Sequence, residues 1–420
     1  MTQKTSHGKT REPAKTGTES LLQEAFQAGT ARRIAVNPAY LDDEKLPESE
    51  RVAVLKEVFD RNIRMRHIER LARFLSPLLG GALPQNLLVY GPSGTGKSVT
   101  SLHVLNALES MCHVKGVPFR YVYVDLTTPR TCFGALNELA IALDGAVRRY
   151  RKGIPLEYMQ EFIIERMSRM KGFVAILVDE ADNITVDADV FLTFLAKTLP
   201  KRVPVRIFFV FLTNRLDWEK TLDPRILSVL KKTDLIFEPY HAMDLIKILR
   251  LRVEKALDAS KVEEEAIGKI AAYASRESGD ARKAVELLAK AVKMAEEQSG
   301  RLTEVEVDAA HQALEVDKTD ELISALAYQQ RLALVACYHG FGTRGRRLST
   351  GDAYEIYREL CAREKGRALT QRRFSDIVGF LDVYGLVNAR VISKGRYGKS
   401  RELSASLPRS VVQRLFSGGR

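Results

Sequence analysis

The chain has 420 residues, 45% of them hydrophobic and 28% charged, enough for two or three cores at roughly 150 residues per domain. Its unbroken apolar runs, such as Phe173–Val178 and Ile207–Leu212, are far shorter than the ~20 residues of a spanning helix. The opening segment has no apolar stretch of a secretory leader, so neither an integral membrane protein nor an exported one is expected. The formal charge of +12 is uneven: residues 331–420 hold eighteen Lys or Arg against seven Asp or Glu, and the first 330 residues are nearly neutral. A basic module on a neutral body is the footprint of nucleic-acid binding; a merely soluble basic domain, or one touching acidic lipid or protein, is the competing reading. Cys112, Cys132, Cys337 and Cys361 lie far apart with no CxxC pair. A zinc site or disulfide framework is therefore not expected, and a reducing, cytoplasmic setting fits.

In chain order, residues 1–20 contain no Leu, Ile, Val or Phe and read as a disordered tail, within a lead-in ending at 33. From Ile34 the composition turns globular. Short runs rich in β-branched and aromatic residues follow: Asn86–Tyr90, Tyr121–Asp125, Phe173–Val178, Val205–Leu212 and Asp234–Phe237. Longer stretches with helical spacing, such as Ser98–Met111 and Tyr158–Met170, separate them. Strands alternating with helices predict an α/β domain over 34–240, a parallel sheet covered on both faces. After Pro239 the spacing predicts helices near 242–258, 263–276, 280–298 and 303–315, a helical domain spanning 241–318. Over 319–420 helices are expected at 320–339, 350–364 and 370–384, with Ser349 or Thr350 capping the second and Thr370 the third. Two extended segments, Leu386–Ser393 and Glu402–Ser406, flank the basic tip Lys394–Arg401. Helices followed by a basic hairpin predict a winged helix-turn-helix.

Gly91-Pro-Ser-Gly-Thr-Gly-Lys-Ser98 fits the phosphate-loop pattern, with a hydrophobic strand leading in and a helix leading out. Glycines let successive backbone N–H groups face phosphate oxygens at a helix N-terminus. Lys97 can reach the β and γ phosphates, and Ser98 offers a hydroxyl to magnesium. Phe173–Val178 then delivers Asp179-Glu180 at the end of a buried strand: Asp179 to hold the ion through water, Glu180 to orient and deprotonate an attacking water. Asp182 reads as a helix cap. Asn214, at the end of a third strand, can touch the γ-phosphate and that water, or simply open a turn. Arg282 stands in the first turn of a helix, where the dipole disfavours a cation; a phosphate is a natural partner.

GPSGTGKS, ILVDEAD, LTN and GDARKAVELL resemble the nucleotide-binding and sensor motifs of AAA+ ATPases. With the winged helix, the chain over roughly 34–420 resembles the archaeal origin-recognition/cell-division-control initiators. The resemblance implies ATP or ADP, with Mg2+, between the sheet domain and a helical lid. It assigns Gly91, Pro92, Ser93, Gly94, Thr95, Gly96, Lys97, Ser98 and Val99 to the nucleotide, with Asn214 and Arg282 as the two sensors. Ile34–Tyr40, including Val36, matches the segment that packs on adenine, and Thr127–Leu143 the insertion that touches DNA. Three departures stand out. Ser98 replaces the usual Thr; Arg225 is the one arginine available as a finger where relatives often carry a second near Val229; and Arg130 is the one cation of the insertion before Arg148.

A recognition helix leads into the major groove with its N-terminal residues, here Thr370, Gln371, Arg372 and Arg373. Adjacent helical residues point about 100° apart, so one arginine is expected on a base edge and the other on phosphate. Lys394, Arg396, Tyr397, Lys399 and Arg401 of the wing suit backbone or minor-groove contact. The resemblance implies double-stranded origin DNA and the replicative helicase as partners, a paralogous initiator on the same DNA as a further candidate, and no membrane. Two functions remain open: an ATP-switched replication initiator, or a regulatory ATPase whose winged helix is autoinhibitory or binds protein. The basic excess favours the first.

Overall fold

A computed structural model describes residues 32–42, 45–144, 153–230, 232–343, 347–364, 366–393 and 399–417. The tail expected over 1–20 and the wing residues Lys394, Arg396 and Tyr397 lie outside these. The described residues form two compact units, dividing between Val307 and Asp308.

In the first unit, strands β1 (Asn86–Tyr90), β2 (Phe119–Asp125), β3 (Phe173–Asp179), β4 (Arg206–Thr213) and β5 (Lys232–Ile236) form one parallel sheet in the order β2-β3-β4-β1-β5. Period-two alternation sorts each strand between two cores. Val174, Ile176, Val178, Ile207, Phe209 and Phe211 face α4 (Cys132–Asp144) and α5 (Leu156–Ser168). Ala175, Leu177, Phe208, Val210 and Leu212 face α2 (Met65–Leu75) and α3 (Lys97–Val114). Burial on both faces is why these strands are unbroken apolar runs. Phe208 and Phe211 are fully buried, and truncating either to Ala costs about 3–5 kcal/mol. Helix α1 (Glu48–Asp60) precedes the sheet, α6 (Ala188–Thr193) follows β3, and α7 (Pro224–Leu230) precedes β5.

Helices α8 (Ala242–Ala256), α9 (Glu264–Glu277) and α10 (Ala281–Glu297) form the lid. The lead-in docks on them: Ala35 bridges Leu257, and Glu296 Oε1 accepts from Ile34 N at 2.6 Å and Ala35 N at 2.8 Å.

The expected helices at 303–315 and 320–339 are corrected to α11 (Glu304–Ala325) and α12 (Tyr328–Thr343). No Gly or Pro interrupts 316–319, so nothing breaks the helix there; Thr319 Oγ1 bonds back to Glu315 O within it. The expected cut after residue 318 falls inside α11, as does the division between the two units.

In the second unit, α12, α13 (Thr350–Arg363) and α14 (Gln371–Val383) pack around Tyr357, Phe374 and Leu381. An antiparallel sheet, β6-β8-β7, covers them, built from β6 (Arg347–Ser349), β7 (Val387–Ser393) and β8 (Lys399–Ala405). Ser349 caps α13 in a capping box with Asp352, and the Thr370 side chain caps α14. Neither β6 nor the final helix α15 (Arg409–Ser417) was expected. β6 is three residues long, below the reach of a periodic signal. This is an α/β protein of parallel sheet domain, helical lid and winged helix.

Candidate nucleotide site and nucleic-acid face

The loop from β1 to α3 holds Gly94 at φ 70° and Gly96 at φ 83°, both in the region L side chains rarely adopt. Neither has room for a side chain: a Cβ on Gly94 would lie 1.7 Å from Asp280 Oδ1, and one on Gly96 2.5 Å from the Tyr240 hydroxyl. Lys97 is buried, its Nζ donating to Gly91 O (2.7 Å), Pro92 O (2.9 Å) and Asn214 Oδ1 (2.7 Å). Burial pushes its pKa below the usual lysine value, opposed by the nearby Glu180 and Asp179 carboxylates.

Asn214 ties the lysine to the acidic pair, because its Nδ2 donates to Glu180 Oε2 while its own N donates to Asp182 Oδ1 at 3.3 Å. Asp182 therefore bonds the Asn214 backbone. Glu180 has φ 53°, a left-handed conformation that costs a non-glycine residue roughly 1–2 kcal/mol and is typical of functional turns. Asp179 is buried; its Oδ1 accepts from Glu180 N (2.9 Å) and its Oδ2 from the Tyr123 hydroxyl (3.1 Å). Burial, then the Asp179 charge, pushes the Tyr123 pKa far above the usual phenol, so the hydroxyl stays a donor.

From the lid, Asp280 Oδ1 accepts from Arg282 N at 2.7 Å and caps α10. The Arg282 guanidinium reaches Ser93 Oγ at 3.4 Å, and Ala281 N donates to Gly94 O at 3.2 Å. The arginine in the first helical turn is thus aimed at the phosphate loop.

These groups line a cavity of about 130 Å³ with a polar end (Ser93, Lys97, Ser98, Glu180, Asn214, Arg282) and an apolar end (Leu55, Val58, Phe59, Ile248, Val285). The arrangement suits a nucleotide: phosphates against the loop, a flat base against the hydrocarbon wall. The Ser98 hydroxyl and Asp179 carboxylate are hard oxygen donors of the kind magnesium takes, so the donor set fits the ion.

Ile34, Val36 and Tyr40 do not line this cavity. Ile34 is fully buried beside α10, Val36 is 69% exposed, and Tyr40 O accepts from Arg252 Nη1 at 3.1 Å. The apolar wall of this cavity comes from α1 and the lid, which sequence reasoning missed because α1 carries no motif; Ala35 and Pro38 of the expected segment line an adjoining groove that shares Arg282 and Val285. Sequence reasoning missed Tyr123 as well, although a tyrosine two residues before Asp125 in a strand otherwise fit for burial was a visible signal.

Arg225 stands outside the site on a separate groove of about 560 Å³ with Asp189, Thr193 and Lys197. Its side chain is 85% exposed and pairs with Asp223 at 2.9 Å. Arg130 is exposed before α4 and donates to Asn183 Oδ1 at 2.7 Å.

In the second unit, Thr370, Gln371, Arg372 and Arg373 are all exposed at the start of α14. Neither arginine has an ion-pair partner among the described residues. Arg401 instead turns back onto α14, its Nη1 donating to Ser375 O at 3.0 Å. Lys399 begins β8.

No helix among the described residues is long and apolar enough to cross a membrane. Residues 83–217 match the family described as AAA domain, 246–312 the Cdc6 AAA+ ATPase-type lid domain, and 321–414 the CDC6 C-terminal winged helix domain. The chain is 32% identical over 384 residues to an ORC1-type DNA replication protein of Pyrococcus horikoshii, covering 89% of this chain and 92% of that one. An ORC1-type DNA replication protein 1 of Aeropyrum pernix is 34% identical over 360 residues, covering 84% and 90%. Among solved structures, the Aeropyrum pernix ORC1 protein in complex with DNA is similar at a TM-score of 0.71 and 31% identity, over 92% of this chain and 97% of that one. The Aeropyrum pernix ORC2 protein in its ADPNP–ADP complexes shares the fold at a TM-score of 0.52 and 19% identity, over 92% of this chain and 99% of that one.

Proposed function

The chain belongs to the ORC1/Cdc6 family of replication initiators, AAA+ ATPases in lineage, and from that premise we propose that it binds origin DNA in a manner switched by ATP and helps recruit the replicative helicase. The observation that carries the nucleotide half is the Lys97–Asn214–Glu180 chain of hydrogen bonds at the polar end of the cavity. That chain supports a reading in which a cation, an amide and a carboxylate meet the γ-phosphate and its attacking water.

Magnesium, held through Ser98 and Asp179, would neutralise the charge on the β and γ oxygens. Lys97 exchanges its carbonyl partners for phosphate oxygens. Glu180 draws a proton from the attacking water, oriented by Asn214, and Arg282 offers a second cation from the lid. With Glu180 already bonded to Asn214, hydrolysis is expected to be slow, the behaviour of a switch.

On the DNA side, exposed Arg372 and Arg373 give one base-edge and one phosphate contact. The wing adds backbone contacts through Lys394, Arg396 and Lys399. A paralogous initiator on the same DNA is a further proposed partner.

The test mixes full-length protein with sheared genomic DNA from its source at about 150 mM salt and sequences the bound fragments, alongside a variant with both arginines changed to Ala. Enrichment at one or a few loci, lost in the variant, supports the reading. Uniform recovery, or none, rejects sequence-specific initiation in favour of a regulatory ATPase.

A further inference from the structure

Beside the phosphate loop, one arginine joins three segments that are far apart in sequence. Arg64 sits just before α2 with its own backbone at φ 62°, a conformation a non-glycine residue keeps only where its surroundings hold it. Its side chain is held. Nε donates to Thr95 O in the phosphate loop at 3.1 Å, and Nη2 donates to Glu238 O in the connector between β5 and the lid. The guanidinium lies over the Tyr240 ring at 3.9 Å and near the Phe237 ring at 5.5 Å.

The connector carries the contact onward. Tyr240 N donates to Gly279 O at 3.0 Å, and Gly279 is packed against Pro239 and Tyr240 so tightly that a Cβ would lie 2.5 Å from Pro239 Cβ. Gly279 opens the turn that presents Asp280 and Arg282. That turn returns to the loop through Ala281 N to Gly94 O. The path is therefore closed: loop, Arg64, connector, lid turn, loop.

We propose that Arg64 is a positioning residue that clamps the lid connector to the phosphate loop, so that the place where Arg282 stands follows the state of the loop. Arg64 is absent from the cavity lining, so it acts through Thr95 and Tyr240 and touches no phosphate. The clamp needs arginine, because a planar fork can donate along two directions and stack on an aromatic face at once, which an ammonium cannot. The inference rests on the nucleotide reading of the site and adds to it the route by which the lid senses the loop.

The experiment is a double-mutant cycle on the full chain. Arg64→Ala, Arg282→Ala and the double variant are titrated with fluorescent ATP and ADP analogues, and the ratio of the two affinities is read. In the parent chain, Arg282→Ala is expected to change that ratio about tenfold; in the Arg64→Ala background the same change shrinks below about threefold, the signature of coupled residues. Arg64→Lys, which keeps the charge and loses the fork, falls between them. Equal effects of Arg282→Ala in both backgrounds overturn the proposal, as does an unchanged ratio in Arg64→Ala. If a thermal melt without nucleotide shows Arg64→Ala unfolded, Arg64→Lys carries the cycle, and an Arg282→Ala effect equal to that in the parent chain overturns the proposal. A parent chain that binds neither nucleotide rejects the site reading and this proposal together, whereas binding with an additive cycle rejects the clamp alone.

Discussion

Cationic side chains in the phosphate loop and in the winged module prepare for anions in opposite ways. Lys97 is buried with all three ammonium protons given to Gly91 O, Pro92 O and Asn214 Oδ1, and Asn214 and Asp179 use both ends of their side chains. Arg372 and Arg373 are exposed and hold no acidic partner among the described residues. A small ligand of fixed shape rewards geometry set in advance. A long polyanion rewards charge that can adjust, and the attraction then depends on salt. The lesson is that the same chemistry, cation on phosphate, is built rigid where it must discriminate a single group and loose where it must follow a backbone.

Substitutions in the rigid region should therefore act steeply and specifically. Glu180→Gln is expected to slow ATP hydrolysis about 10²–10⁴-fold, the usual worth of a general base, while ATP affinity stays within about threefold; steady-state hydrolysis and equilibrium titration together check it. Equal losses in both would mean the carboxylate is structural. Lys97→Ala strips the donor from two loop carbonyls as well as from the ligand, and should weaken ATP binding about a hundredfold or ~3 kcal/mol, measured by calorimetry. In the loose region the expected losses are smaller and differ in kind. One of Arg372→Ala and Arg373→Ala should cost ~1–3 kcal/mol on the cognate site alone; the other should flatten the salt slope by about 0.9 on every sequence. Identical behaviour of the two in filter-binding titrations would break the contrast. The smallest effect belongs to His67, bonded to Ile236 O at 3.1 Å, whose pKa burial and then Arg64 depress. The unfolded chain takes up this proton first, near pH 6.5, so stability falls as pH drops below that value and levels off below the depressed folded pKa. His67→Gln should remove part of that slope in thermal midpoints, and an unchanged slope assigns it to other groups such as His103, which burial shifts the same way.

Much of this was legible in the chain itself. Two-sided burial wrote β3 and β4 as solid apolar runs, and the glycines and acidic pair mark strand ends where the sheet delivers them. What escaped depends on distance through space. Arg64 carries no local mark; its role exists because residues 95, 238 and 240 come to one guanidinium. Arg401 reads as a wing cation, and its place in β8 also brings it onto Ser375 O, a matter of register and not of composition. The apolar wall of Leu55, Val58 and Phe59 lies on a helix whose pattern says only that one face is buried. Helix α11 ran on through 316–319, where a break was expected, because the absence of a stop signal is hard to read as a signal.

The contact between Gly94 and Asp280 has a consequence for how such proteins can be recombined. An added Cβ would come within 1.7 Å of the carboxylate, although the two residues lie far apart along the chain. Sheet domain and lid are thus not interchangeable cassettes. A lid grafted from a distant relative must bring a cap that fits this loop, or the chimera will open a seam where the two halves meet, and sequence drift on either side of that seam is constrained by the other.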